Sequence, residues 1–235
     1  MRRMVSKVSR LNSNFRIIVR RESPVRWLLT IALAAAFMLA LTMGAGATPT
    51  QDGGSIRDPL AEVRDSVGQA VAILHNSQLP VDQRRRELRA LAEHKLDLPK
   101  MARGSLGGHW NELTQAERDQ FVPLFTAFIE DAYLSQIQNY ENLKIDASKE
   151  TRLDADHVNV AATVAQPGED ILPITFMLER RGDDWMVYDV AVEDVSMVEN
   201  YRAQFDRVIR SQGLARLLAS LRQKQRELGA LVGSQ

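Results

Sequence analysis

The chain changes the spacing of its apolar residues near residue 193. In three stretches between residues 158 and 192 the apolar side chains fall on every second position, and from residue 197 they recur every four. A period of two places side chains on one face of a strand, and a period near four places them on one side of a helix. The alternating residues are Val158, Val160, Ala162, Val164, Leu172, Ile174, Phe176, Leu178, Met186, Tyr188, Val190 and Val192. The pattern predicts strands that share one apolar face, followed by a helix.

Short polar segments separate the predicted strands. Residues 166–170 (QPGED) and 180–184 (RRGDD) carry the glycine and acidic residues that are typical of hairpin connections. A weaker alternation near 143–150 predicts one further strand before them. Four successive strands with short turns indicate an antiparallel meander with one apolar face.

Helical patterns occur both before and after the predicted strands. The expected helices cover 58–76, 81–96, a short segment from residue 99, 114–139, 196–212 and a last segment from residue 214. Thr114 with Glu117, and Ser196 with Glu199, have the spacing of a capping box. Pro123 predicts a bend in the longest helix, because proline removes one backbone hydrogen bond.

The longest helix carries an apolar stripe that is wider than a surface helix needs. The stripe consists of Phe121, Leu124, Phe125, Phe128, Ile129, Ala132, Tyr133 and Ile137. We therefore predict an α+β fold in which several helices cover a curved four-stranded antiparallel sheet. A bent helix on a twisted sheet can enclose an apolar cavity for a ligand. An ordinary packed core is the alternative.

The first residues of the chain have the order of a secretory signal peptide. Residues 1–26 contain eight Arg or Lys and one Glu, and the 17 residues 27–43 are an uncharged apolar run. Small residues follow at 45–47, as at a cleavage site. We predict a signal peptide at 1–47, a flexible tether at 48–57 and a single domain at 58–230. An uncleaved inner-membrane anchor is the alternative, because the apolar run approaches the length of a membrane span.

Composition excludes several classes of function. Residues 48–235 contain 22 basic and 29 acidic residues, a net charge of −7 that disfavours binding to nucleic acid or to anionic membrane surfaces. The chain has no cysteine, which excludes disulfides and thiol chemistry. Its four histidines, at 75, 94, 109 and 157, lack metal-ligand spacing, and no G-x-S-x-G motif occurs. We predict no enzyme, no metal and no cofactor.

Two segments resemble the MlaC / toluene-tolerance family of periplasmic phospholipid-binding proteins. They are DLPKMARGSLGGHWNELTQAERDQFVPLFTAFI (97–129) and DDWMVYDVAVEDVSMVENYRAQFDRVIRSQGLARLLASL (183–221). The similarity extends over nearly all of 58–228 and is sharpest at WMVYDVAVEDVSMVENYRAQF (185–205). This sequence has Asp194 and Leu98–Pro99 where the family has a glycine and an aromatic–acidic pair, respectively, and neither change alters the apolar pattern.

The resemblance implies a periplasmic carrier whose lipid-binding domain is 58–230. Such a carrier holds phospholipid as cargo by its acyl chains, between sheet and helices. It moves the lipid between an outer-membrane lipoprotein/porin complex and an inner-membrane ABC transporter with an MCE component, and so maintains outer-membrane lipid asymmetry. A cell-envelope scaffold or assembly factor without bound lipid is the alternative function.

The faces that oppose one another in this arrangement give the expected lipid-contacting set. It consists of Phe121, Leu124, Phe125, Phe128, Tyr133, Ile174, Phe176, Tyr188, Val190, Met197, Tyr201 and Phe205. Asp189 interrupts an apolar strand, so its burial would require hydrogen-bond donors such as Arg202 or nearby backbone amides. Arg202 is expected either to pair with Asp189 or Glu193 or to bind the lipid head group.

Overall fold

The computed structural model describes residues 57–134, 143–167 and 170–232, and the side chains of 133–134 and 228–232 lie outside that description. In this part of the chain the helices are α1 (Pro59–His75), α2 (Val81–Lys95), α3 (Leu98–Leu106), a 3-10 helix (Gly107–Glu112), α4 (Gln115–Leu134), α5 (Met197–Gln212) and α6 (Leu214–Val232). The helices begin where the sequence predicts. Residues 135–139 of the predicted long helix lie outside the described residues.

Local hydrogen bonds explain where α1 and α4 begin. The Asp58 carboxylate accepts a hydrogen bond from the backbone N–H of Leu60 at 3.2 Å, and Pro59 occupies the first turn of α1. At α4 the backbone N–H of Thr114 donates to the Glu117 carboxylate at 2.8 Å, and the N–H of Glu117 donates to the Thr114 hydroxyl at 3.3 Å. The capping box predicted at Thr114 and Glu117 is therefore confirmed.

The strands form one antiparallel sheet in the order of the sequence. They are β1 (Lys144–Arg152), β2 (His157–Ala165), β3 (Leu172–Arg181), β4 (Asp184–Val192) and β5 (Val195–Ser196), and neighbours in this order are hydrogen-bonded. The predicted α+β meander is confirmed. The sheet has five strands instead of four, because the corner after β4 folds back and pairs two residues before α5 begins.

A β-bulge in β4 changes which residues face the helices. Phe176 pairs with Val190 and Leu178 pairs with Val187, so Tyr188 is the extra residue between them. Trp185 and Val187 therefore share the inner face, defined as the face that carries Phe176 and Val190. The prediction that Met186 and Tyr188 lie on this face was wrong, because simple alternation cannot reveal an inserted residue.

Both outer edges of the sheet are partly covered. At β4, Leu96 forms a parallel bridge with Val187, and the backbone N–H of Asp97 donates to the Val187 carbonyl at 2.8 Å. At β1, the Arg64 guanidinium of α1 donates to the carbonyl of Ala147 at 2.7 Å, beside an irregularity in the strand. These contacts protect edges that would otherwise present free backbone groups.

Within the described ranges, one apolar cluster joins the inner face to helices α1 to α6. The largest fully buried side chains include Trp185, Phe121, Phe125 and Phe176. Burial of a large apolar side chain contributes about 1.5–3 kcal/mol. The helix layer and the sheet are thus held together mainly through this cluster.

Candidate functional site

An aromatic cluster joins α4 to α5 at the centre of the helix layer. The Phe121 and Phe205 rings meet edge to face with centroids 6.0 Å apart, and Phe125 and Phe128 meet Tyr201 edge to face at 6.1 and 5.5 Å. Residues spaced by about one helical turn on each helix place these rings in two facing rows. Such pairs add about 0.5–1.5 kcal/mol each beyond simple burial. The rows predicted on these two helices therefore do oppose one another.

The inner face of the sheet belongs to the same apolar cluster as these rings. Ile174, Phe176 and Val190 have exposed fractions of 2 %, 1 % and 0 %. The expected lipid-contacting residues that are buried in this cluster are Phe121, Phe125, Phe128, Ile174, Phe176, Val190, Met197 and Phe205. Leu124 and Tyr201 are partly buried and pack against it. The Tyr133 side chain lies outside the described residues.

Tyr188 lies apart from this group, on the opposite face of the sheet. Its ring stands perpendicular to that of His157 at a centroid distance of 5.9 Å, and Lys100 Nζ lies 4.3 Å from the ring centre. Partial burial raises the pKa of the Tyr188 hydroxyl. The bulge in β4 therefore places Tyr188 beside charged groups and not in the apolar interior.

Asp189 fixes the corner between β4 and α5. It is 6 % exposed, and its carboxylate accepts hydrogen bonds from the backbone N–H groups of Val190 at 2.8 Å and Val198 at 3.0 Å, and from the Ser196 hydroxyl. Burial raises the pKa of Asp189, while these three donors act in the opposite direction. The expected backbone donors are confirmed, and Arg202 does not serve as a donor.

Arg202 contacts α3 instead. Its Nε donates to the carbonyl of Gly104 at 2.9 Å, and its Nη1 lies 3.9 Å from the Glu199 carboxylate. The expected pairing with Asp189 or Glu193 was wrong, because the helix presents this position toward α3. The Ser196 hydroxyl accepts from the N–H of Glu199 at 3.0 Å, which confirms the cap of α5. The Glu199 carboxylate faces Arg202 instead of completing the capping box.

Two important residues were not found from the sequence. Trp185 is 0 % exposed, and its indole N–H donates to the carbonyl of Arg57 at 2.9 Å, so it ties the start of the domain to β4. A Cβ added to Gly104 would lie 2.7 Å from Val198 Cγ1, so glycine permits the close approach of α3 and α5. A tryptophan that flanks a strand turn was the available signal for Trp185. Nothing local to the sequence indicates the contact at Gly104.

His109 is the histidine whose surroundings most resemble those of a functional group. Its Nε2 lies 2.9 Å from the Asp206 carboxylate, and this hydrogen bond raises the pKa of His109. The contact joins the 3-10 helix to α5. Within 57–134, 143–167 and 170–232, no group of three or more His, Asp or Glu side chains is arranged to hold a metal ion. The helices of those same ranges are too short or too polar to cross a membrane.

The arrangement supports one kind of interaction with a ligand. The interior is apolar and its walls are buried to within a few per cent, so a ligand there would contact aliphatic and aromatic groups. Entry of a ligand to the inner face would displace the side chains that cover it, because Ile174, Phe176 and Val190 are each at most 2 % exposed. Fold and site together define an α+β protein with an apolar interior between helices and sheet.

The chain belongs to the MlaC protein family, whose sequence profile matches residues 64–223. It is 28 % identical over 123 residues to the intermembrane phospholipid transport system binding protein MlaC of Haemophilus influenzae. That match covers 50 % of this chain and 57 % of the length of the relative. The fold is similar to that of a phospholipid-binding protein from Ralstonia solanacearum solved in complex with a phospholipid. The TM-score is 0.65 at 21 % identity, over 74 % of this chain and 99 % of that structure.

Proposed function

We propose that this protein is a periplasmic phospholipid carrier that holds its cargo by the acyl chains between the inner face of the sheet and helices α4 and α5. The observation that supports this most strongly is the continuous apolar cluster joining Phe125, Phe128 and Tyr201 to Ile174 and Phe176. Membership of the MlaC family supports the same assignment. So do the name of the Haemophilus relative and the phospholipid in the Ralstonia structure.

Apolar burial is sufficient for such binding. Transfer of several hundred Å2 of acyl-chain surface out of water at about 25 cal/mol per Å2 contributes on the order of 10 kcal/mol. Ordering the tails and opening the protein reduce this gain. Because the tails supply most of the binding energy, a charged anchor for the head group is not required, and release to a second membrane complex stays feasible.

Helix α4 is the element best placed to move when lipid enters. Pro123 lies inside it, where the missing N–H weakens the backbone hydrogen bonding of the helix. The side chains of α4 meet α5 through aromatic contacts, whereas backbone hydrogen bonds join the strands of the sheet. We propose that α4 and α5 separate from the inner face while the sheet stays intact.

The partners in this proposal are two membrane complexes. An outer-membrane lipoprotein/porin complex and an inner-membrane ABC transporter with an MCE component would exchange phospholipid with this protein. The signal peptide predicted at 1–47 and the name of the Haemophilus transport-system relative support a place between two membranes. The net negative charge of residues 48–235 favours transfer by docking to proteins over adsorption to anionic lipid.

Native mass spectrometry of the protein purified from a periplasmic extract tests the proposal. We expect the wild-type protein to carry phospholipid and Phe128→Asp to lose it, because a charge at a side chain that is 7 % exposed opposes acyl-chain binding. Leu124→Asp, at a partly buried position, gives a milder second variant should the first fail to fold by circular dichroism. Leu153→Asp, at a side chain that is 57 % exposed, is the matched control and should keep its lipid. A folded wild-type protein without phospholipid would contradict the proposal and favour a scaffold role.

A further inference from the structure

Helices α2 and α4 meet through charged side chains that the lipid-binding proposal does not use. The Nε of Arg89 on α2 lies 2.9 Å from the Glu130 carboxylate, and its Nη2 donates to the Asp131 carboxylate at 3.4 Å. Glu93, one turn after Arg89, also interacts with Glu130. These four residues, Arg89, Glu93, Glu130 and Asp131, form what we term the α2–α4 seam.

Glu130 is the buried member of the seam. It is 5 % exposed, and its Oε1 accepts no hydrogen bond from the described residues. Its Oε2 forms the ion pair with Arg89. A buried carboxylate with an unsatisfied oxygen is unfavourable. A proton on Glu130 removes that cost and allows a hydrogen bond to Glu93. Two ionised carboxylates have no hydrogen to share and repel each other.

The α2–α4 seam holds more carboxylates than arginines. Glu93, Glu130 and Asp131 face Arg89, and Arg85, beside the seam, acts on Asp131 but also lies 3.8 Å from Asp82. When all these carboxylates are ionised, negative charge is in excess between two packed helices. Burial is the largest influence and raises the pKa of Glu130 to about 7, against the opposing effect of Arg89.

Three charged side chains on the other helices packed near α4 have partners away from Glu130. Arg222 of α6 donates to Gln120 at 2.9 Å, near the opposite end of α4, and Lys100 of α3 bonds to Glu179 on the sheet. Asp206 of α5 pairs with His109. In the described ranges, the charges that face Glu130 therefore come from α2 and from α4 itself.

We propose that the α2–α4 seam is a proton-dependent latch on the lipid site, closed while Glu130 holds a proton and loosened when the proton leaves. This inference rests on the proposed function, since α4 also carries Phe125 and Phe128 of that site. Loss of the proton leaves a buried ionised carboxylate with one unsatisfied oxygen, and hydration of that carboxylate favours separation of α4 from α2, which opens a path for the acyl chains.

The raised pKa of Glu130 determines how the stability of the α2–α4 seam changes with pH. The folded protein retains the Glu130 proton up to a pKa of about 7, whereas an unfolded glutamate has a pKa of 4.5. The stabilisation from that proton is complete below the unfolded value and is lost as the pH rises through the folded value. The latch is therefore tighter in mild acid than in mild alkali.

Hydrogen exchange on lipid-free protein tests the seam without depending on lipid. At about pH 8 we expect the amides of 124–134 to exchange about fivefold faster than at about pH 6, relative to those of β3 and corrected for intrinsic exchange. Glu130→Gln is permanently neutral and should abolish this dependence, and Glu93→Gln, a second variant, should reduce it. Asp119→Asn, at an exposed carboxylate of the same helix, should behave as wild type. An equal exchange ratio at both pH values in the wild-type protein would overturn the latch.

Transfer of a fluorescent phospholipid from the protein to phosphatidylcholine vesicles tests the link to the cargo. The transfer rate should rise about fivefold over the same pH interval and become independent of pH in Glu130→Gln. If hydrogen exchange depends on pH but the rate of lipid transfer does not, the α2–α4 seam does not control the lipid site. That result would overturn the inference. If the protein binds no phospholipid at any pH, the proposed function is refuted instead. Hydrogen exchange would still show whether the α2–α4 seam loosens as the pH rises.

Discussion

The side chain of Arg202 on α5 bonds to the backbone of α3. Its guanidinium is half-exposed and donates to the carbonyl of Gly104, and its aliphatic part covers Gly107, where an added Cβ would lie 2.9 Å from Arg202 Cδ. The carbonyl lies near the C-terminal end of α3, where a positive charge is favourable. We therefore propose a structural role for Arg202 over binding of a head-group phosphate.

Replacing Arg202 by alanine separates the two roles. We expect Arg202→Ala to lower the free energy of unfolding by about 0.5–1.5 kcal/mol, because one charge-assisted hydrogen bond and its packing are lost at a partly exposed site. Chemical denaturation measures this change, and native mass spectrometry should show unchanged phospholipid occupancy. Arg207→Ala, at an exposed arginine of the same helix, is the control and should alter neither quantity. Reduced occupancy with unchanged stability would show that Arg202 binds the head group.

Single residues differ in how well the sequence predicts their surroundings. A carboxylate such as Asp189 in an apolar strand must find donors, so the need for backbone amides follows from desolvation alone. The partner of Arg202 does not follow, because Gly104 is nearly a hundred positions away in the chain and carries no side chain to suggest a contact. Solvation can be inferred locally, whereas a long-range contact requires the tertiary arrangement.

The turn between β4 and β5 is a strained element with a measurable cost. Glu193 and Asp194 have φ values of 46° and 65°, so both central residues of this two-residue turn are left-handed, as in a type I′ hairpin. The resemblance to the MlaC family predicts a glycine at the position of Asp194. Glycine adopts this conformation without the steric cost that a side chain brings.

Substitution at this turn should raise stability. We expect Asp194→Gly to increase the free energy of unfolding by about 0.5–1 kcal/mol, since relief of backbone strain exceeds the entropy that glycine adds to the unfolded chain. The reverse change at a matched site is Gly182→Ala, where φ is 64° and no atom lies within 4 Å of an added Cβ. It should lower stability by about 1 kcal/mol through backbone strain alone. Thermal or chemical denaturation measures both, and a loss of stability in Asp194→Gly would contradict this account of the turn.

Elements were predictable where the signal was local. The caps at Thr114 and Ser196 depend on residues three positions apart, and both are present. Only some of the inner-face residues of β4 were predicted correctly. The bulge at Tyr188 depends on the pairing of β4 with β3, and the spacing of apolar residues in the sequence does not reveal it. Trp185 and Val187 thus replace Met186 and Tyr188 on the inner face.

The overall architecture was predictable because its connections are short and sequential. Each strand pairs with the next one along the chain, so the order of the sheet follows the order of the apolar stretches. The near-complete burial of the inner face was not predictable, since periodicity shows which side chains face inward but not how fully the helices cover them. The proposed movement of α4 and α5 follows from that burial and from the size of a phospholipid.

Photo-crosslinking would locate the acyl chains of a phospholipid bound to this protein. A phospholipid with a diazirine near the end of one tail would be loaded into the protein and irradiated, and the modified peptides would be identified by mass spectrometry. We predict adducts within 121–128 and 197–205, which carry the aromatic rows, and at Ile174, Phe176, Val190 and Val192 of the inner face. Adducts concentrated on the outer face, at Met177, Met186 or Tyr188, with none at these inner positions, would show that the acyl chains do not lie between the sheet and the helices.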